Sequence, residues 1–125
     1  MLLDTCALVW IATGSKNLSH PTREAIEEAK SVYVSSISAF EISSIYIKGR
    51  LELPCDPERW FYEILEKHDI IEIELNGKIA IASTKLPLIH KDPCDRFIIA
   101  TARLHNLPVV TGDTRFKKYG VYVLS

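Results

Sequence analysis

The chain has 125 residues, 47% hydrophobic and 25% charged, a profile that excludes a disordered or fibrous protein and predicts one globular domain over residues 1–125. At this length folding buries roughly two-thirds of the surface the unfolded chain exposes, so no disulfide framework or structural metal is required. The formal net charge of -1 excludes global attraction to nucleic acid and leaves such contact to local basic residues, such as Lys78, Lys85, Lys91, Arg103, Lys117 and Lys118 of the second half.

Short apolar runs alternate with longer amphipathic stretches, the pattern of βα units around a parallel sheet. Met1 to Leu3 predicts a strand and Thr5 to Ala12 a helix stopped by Gly14. Ser19 is placed to cap a second helix, with Pro21 tolerated in its first turn and Ala25, Ile26 and Ala29 as its apolar stripe. Val32 to Ser35 alternates like a strand. Ser38 and Glu41 have the S-x-x-E spacing of a capping box, which predicts a third helix running to Lys48 before Gly49.

Asp56 and Pro57 open a fourth helix with Trp60, Phe61, Ile64 and Leu65 at helical spacing, and Ile70 to Ile73 reads as a strand. Asn76 opens a short helix through Ala82 that Pro87 breaks. Asp92 with Pro93 caps a long helix from Cys94 to His105, which Asn106 can close in the left-handed conformation. Pro108 to Thr111 predicts a strand, Thr114 to Lys118 a helical turn, and Val121 to Leu124 a last strand.

Cys6, Cys55 and Cys94 are an odd set without a C-x-x-C pair, so a reducing compartment fits and neither a disulfide framework nor a zinc ribbon is indicated. The apolar N-terminus lacks a basic lead and is interrupted by Asp4, and no run approaches the ~18 apolar residues of a membrane span. The expectation is a cytoplasmic protein with no membrane contact.

Asp4 follows the first strand and Asp113 lies just past the strand at Pro108 to Thr111. In open parallel sheets ligands bind outside the carboxyl ends of strands, where the strand order reverses. Glu41 and Asp95 are expected in the first turns of the third helix and the long helix, at the same edge. Each acid also has a plain structural reading: Glu41 as capping-box partner, Asp95 as complement to the helix dipole, Asp113 as a turn former. Asp4, among Leu2, Leu3, Leu8 and Val9, is the hardest to explain without a partner.

Carboxylates brought together repel unless a cation neutralises them, and oxygen donors without a matching His/Cys set favour Mg²⁺ or Mn²⁺ over Zn²⁺. The candidate ligands are Asp4, Asp95 and Asp113, with Glu41 binding directly or through water, around one ion or two about 4 Å apart. Thr5 and Thr111 are candidates to orient carboxylates or water, and Arg96 and Arg115 to contact phosphate or neutralise the acids. His90 and His105 lack metal-ligand spacing and read as surface or cap residues. Asp92 reads as a cap.

Two other classes fit parts of the pattern. Asp4-Thr5 after a strand is superficially like an aspartate-nucleophile phosphatase, although the second acid such enzymes need is replaced by Cys6. A catalytically inactive interaction module would use Trp60, Phe61 and Tyr62 as partner contacts, residues that read more readily as core. With five glycines and no G-x-G-x-x-G or G-x-x-x-x-G-K-[ST], a Rossmann or P-loop nucleotide binder is disfavoured.

The segments LLDTCALVW, SSISAFEI with KGRLELP, LPLIHKDPCDRFIIATA and VVTGDTRFKKYGVYVL resemble the PIN-domain family, specifically VapC-type toxins of type II toxin–antitoxin pairs. H-x-D-P-x-D-R followed by I-A-x-A is the most specific of them. The resemblance maps the family's four acids onto Asp4, Glu41, Asp95 and Asp113. It implies a three-layer α/β/α sandwich around a mainly parallel sheet of four to five strands. It also implies Mg²⁺- or Mn²⁺-dependent endoribonuclease activity leaving 5′-phosphate and 3′-hydroxyl ends, a homodimer, and a VapB-type antitoxin lying along the active-site groove. Cys6 and Cys94 stand where the family usually has His and Phe, and neither departure removes an acid.

Overall fold

The computed structural model describes residues 1–125. Its strands are β1 (Leu2–Leu3), β2 (Val32–Ser35), β3 (Ile70–Ile73), β4 (Val109–Val110) and β5 (Val123–Leu124), joined in one sheet of order β3-β2-β1-β4-β5. All four pairings are parallel. The helices are α1 (Thr5–Thr13), α2 (His20–Glu28), α3 (Ser36–Ile47), α4 (Pro57–His68), α5 (Gly77–Thr84) and α6 (Pro93–His105), with a 3-10 turn at Thr114–Tyr119. No helix is long and apolar enough to cross a membrane.

Both faces of the sheet are covered, as a parallel sheet with helical crossovers requires. Successive strand residues point to opposite faces, so neighbours in sequence enter different cores. Leu3, Val34, Ile70 and Val110 pack with Leu8 of α1, Ile42 of α3 and Trp60, Phe61 and Leu65 of α4. Leu2 and Val109 pack with Ile79 of α5, Ile98, Ile99 and Ala102 of α6, and Phe116. The result is the α/β/α sandwich. Trp60 and Phe61 are core, and Tyr62 is exposed.

The helix starts are set by side-chain caps. Ser19, Asp56, Asn76 and Asp92 each accept a backbone N–H from the first turn of α2, α4, α5 and α6 respectively. Gly14 and Asn106 close α1 and α6 with positive φ, at 64° and 52°. The third helix departs from expectation. It starts at Ser36, directly from β2, with Ser35 as cap accepting the Ile37 N–H. Ser38 and Glu41 therefore form no capping box, and Glu41 sits in the second turn instead of the first.

The chain moves outward from β1 through β2 to β3, then returns to the other side of β1 for β4 and β5. The order reverses between β1 and β4, which places the binding crevice outside their carboxyl ends. Asp4 follows β1 there and Asp113 follows β4.

Candidate active site

Four elements deliver the acids. Asp4, 6% exposed, caps α1 by accepting the Ala7 N–H on Oδ1 at 2.8 Å. Glu41 reaches the same edge from α3, where Oε1 accepts the Thr5 hydroxyl at 2.5 Å and Thr5 in turn bonds Ser38 at 2.9 Å. Asp95 lies in the first turn of α6, behind the cap Asp92. Asp113 caps the 3-10 turn, and its own N–H donates to the buried Thr111 hydroxyl at 3.0 Å. All four line one cleft of about 400 Å³ together with Thr5, Cys6, Trp10, Ile45, Asp92 and Gly112. Gly112 packs closely on Trp10: a Cβ there would stand 3.0 Å from the end of the indole ring, which would have to shift by a few tenths of an ångström. A second hollow of about 450 Å³, where α6 meets β4, offers only Arg103 as a charged group, so the chemistry selects the acidic cleft.

The electrostatics divide the acids into two kinds. Burial raises Asp4, with the Thr111 hydroxyl and Ala7 N–H opposing and Asp113 adding to it. Burial also raises Glu41 against the Thr5 hydrogen bond, with Asp92 and Asp4 reinforcing. Asp95 is pushed up to about 7, by burial first and then by the charges of Asp92, Glu41, Asp4 and Asp113. Asp113 moves the other way, well below the usual carboxylate range, chiefly through hydrogen bonds from Arg115. Its Oδ1 accepts the Arg115 N–H at 2.9 Å and Nε–H at 3.0 Å, and its Oδ2 accepts Arg115 Nη2 at 2.7 Å and His90 Nε2 at 2.9 Å. Every lone pair of Asp113 thus has a protein donor.

Two residues stand elsewhere than the sequence suggested. His90 is no surface residue: it is 2% exposed, and its Nε2 lies 3.0 Å from Asp95 Oδ2 as well as 2.9 Å from Asp113 Oδ2. Arg96 is not available to phosphate or to the acids. It is buried on the core stripe of α6, and its guanidinium donates to the carbonyls of Ser83, Leu86, Pro87 and His90 at 2.8–3.1 Å. It fixes the α5–α6 connection that carries His90. His105 is exposed in the last turn of α6. Cys6 borders the cleft with its thiol raised by burial and by the charges of Asp4, Glu41, Asp95 and Asp113, so it is held as a thiol and is a poor nucleophile.

Against the five carboxylates that line the cleft, Asp92 included, the protein sets one guanidinium, and that one is spent on Asp113. Asp4, Glu41 and Asp95 form no ion pair with Lys or Arg. His90, Asp95 and Asp113 can each bring a ligand atom within 4.8 Å of the others. Charge deficit and hard oxygen donors together fit a divalent cation.

Comparisons with known proteins give the family and the fold. Ribonuclease VapC22 of Mycobacterium tuberculosis (strain ATCC 25618 / H37Rv) is 29% identical over 120 residues, covering 95% of this chain and 91% of the relative. The fold is shared with a toxin-antitoxin complex from Klebsiella pneumoniae, at TM-score 0.68 and 21% identity over 99% of this chain and 95% of that one. It is shared also with VapBC2 from Rickettsia felis bound to a DNA fragment from its promoter, at TM-score 0.71 and 16% identity over 99% and 98%. The PIN domain model matches residues 1–122, and with the sheet order, the switch-point cleft and its acids already in place, the chain belongs to the PIN-domain family.

Proposed function

We propose that this single PIN-like domain is a cytoplasmic, Mg²⁺- or Mn²⁺-dependent endoribonuclease, the toxin of a VapBC-type toxin–antitoxin pair. The observation that carries the reading is the cleft at the switch point, where Asp4, Glu41, Asp95 and Asp113 converge beside the cap Asp92 with only one guanidinium among them. Asp4, Glu41 and Asp95 are the acids without a Lys or Arg partner that would hold an ion, and Asp113 would join them only on release from Arg115. A divalent ion bound there supplies Lewis-acid activation of water and neutralises charge on the phosphodiester.

The protein's own part is positioning. The Ala7 N–H fixes Asp4, and the Thr5 hydroxyl fixes Glu41 across the cleft. Arg115, half exposed, is placed to leave Asp113 and donate to two phosphate oxygens as a bidentate pair. Attack by water on phosphorus with the P–O3′ bond breaking, O3′ leaving as the protonated hydroxyl, would leave the 5′-phosphate and 3′-hydroxyl ends that the family resemblance implies. That RNA is the substrate is supported by the relative named as a ribonuclease.

A partner is supported by exposed apolar side chains on α3. Ile45 lines the acidic cleft, and on another face of the same helix Phe40 and Ile47, 61% and 78% exposed, line a separate hollow suited to an antitoxin segment. Solved structures of like fold are complexes with antitoxins. Exposed Ile81 and Leu104 on α5 and α6 support a homodimer, which light scattering would test.

Expression of the chain alone and with the antitoxin gene adjacent to its own tests the biological role. Growth arrest relieved by the neighbour, with new 5′-phosphate RNA ends mapped only in its absence, is the expected result. Normal growth with intact RNA at full expression of a folded protein would overturn the proposal.

A further inference from the structure

We propose that His90 is a positioning residue: its Nε2–H clamps Asp95 to Asp113 and keeps the acidic site assembled before any ion binds. The inference rests on the metal-site reading above and assigns this chain's histidine a role in it.

The ring is fixed in one tautomer by its partners. The Asp92 backbone N–H, which can only donate, points at Nδ1 at 3.2 Å, so the ring proton sits on Nε2. Nε2 faces only acceptors, Asp113 Oδ2 at 2.9 Å and Asp95 Oδ2 at 3.0 Å. Nε2 is hydrogen-bonded to Asp113 and in contact with Asp95, so one N–H dipole lies between two carboxylates whose charges repel. No protein donor reaches Asp95 Oδ1, which leaves that oxygen for a ligand.

The rest of His90 is immobilised. Its backbone N–H donates to the Tyr119 hydroxyl at 2.6 Å, and that hydroxyl donates to the Pro87 carbonyl at 2.7 Å. Its carbonyl accepts Arg96 Nη1 at 3.1 Å, and its ring meets Phe116 edge-on at 5.9 Å. A histidine that merely filled core volume would need none of these bonds to aim Nε2 at two acids. Outer partners that orient ligating carboxylates typically contribute about 10–100-fold to metal affinity or activity.

The test compares wild type, His90→Phe and His90→Gln. Phe keeps the ring packing without a donor, and Gln offers an N–H at similar reach. Calorimetry with Mn²⁺ should show about 10–100-fold weaker binding for His90→Phe and recovery of most of it for His90→Gln. Kinetics should show the loss in kcat with KM for RNA nearly unchanged. In long-range ¹H–¹⁵N spectra of wild type, Nε2 should stay protonated and Nδ1 bare, with and without Mg²⁺.

Wild-type Mn²⁺ affinity in the Phe variant, an equal loss in both variants, or loss of the Nε2 proton to direct coordination would each overturn the proposal. If His90→Phe fails to fold, the Gln variant and the wild-type spectra still decide. Wild type that binds no Mn²⁺ would sink the metal reading alone. The clamp would then stand or fall on metal-free crystals, in which Asp95 and Asp113 should move apart in His90→Phe and stay together in His90→Gln.

Discussion

Replacing Asp95 by Asn should stabilise the metal-free protein, and the gain should grow with pH. Asp95 rises from 3.8 to about 7 on folding, so holding it ionised in the folded state costs at most about 4 kcal/mol. The side chain is 22% exposed, and solvent screening reduces that figure to about 2 kcal/mol. The sign follows from proton binding. Below pH 3.8 the group is neutral in both folded and unfolded chains and costs nothing. Between 3.8 and about 7 the unfolded chain releases the proton while the folded one retains it, so stability falls as pH rises, and the loss is complete above 7.

Asn removes the charge at nearly unchanged size and keeps a carbonyl beside His90 Nε2. In EDTA above pH 7, urea denaturation should therefore show Asp95→Asn more stable by about 2 kcal/mol, or about 8 °C in Tm, shrinking below about 1 kcal/mol at pH 5. Saturating Mn²⁺ should narrow or reverse the order, because the ion stabilises only the form that binds it. A variant less stable than wild type at pH 8 without metal, or a gain independent of pH, would refute the reasoning.

Arg96→Ala should cost at least about 3 kcal/mol in urea denaturation, because four inward carbonyls lose their donor together, and Arg96→Lys should recover little because an ammonium cannot span them. Arg115→Ala frees Asp113, so calorimetry should show tighter Mn²⁺ binding while KM for RNA rises; weaker Mn²⁺ binding would show that the guanidinium does not compete for that acid. Asp4→Ala should lose about 1 kcal/mol that Asp4→Asn retains, since Asn still caps α1 through the Ala7 N–H.

The parts of this fold legible in the sequence are those set locally. The bounds of β2 and β3 follow from short β-branched runs, and Ser19, Asp56, Asn76 and Asp92 act as caps because each needs only an N–H within its own first turn. The placing of Asp4, Asp95 and Asp113 at one edge was legible because βα alternation puts strand ends and helix starts there, while Glu41 reaches the cleft from the second turn of α3 instead of the first.

What escaped was set by distant contacts. Ser38 and Glu41 match a capping box by spacing, yet their partner is Thr5, more than thirty residues back in sequence. The burial of His90 depends on Asp113 and Tyr119, and no local pattern announces either. Arg96 did leave a signal: it stands three and four residues before the buried Ile99 and Ala100, on the inward stripe of α6, where a charge must find internal acceptors.

The most direct test of the central claim is cleavage of RNA by the purified chain with Mn²⁺ or Mg²⁺, beside Asp4→Asn and Asp95→Asn, both confirmed folded. Cleavage that requires the ion, stops in EDTA, leaves 5′-phosphate ends and falls by at least about 100-fold in each variant is the predicted result. Undiminished cleavage in EDTA, or full activity in either variant, would contradict a carboxylate-held metal site.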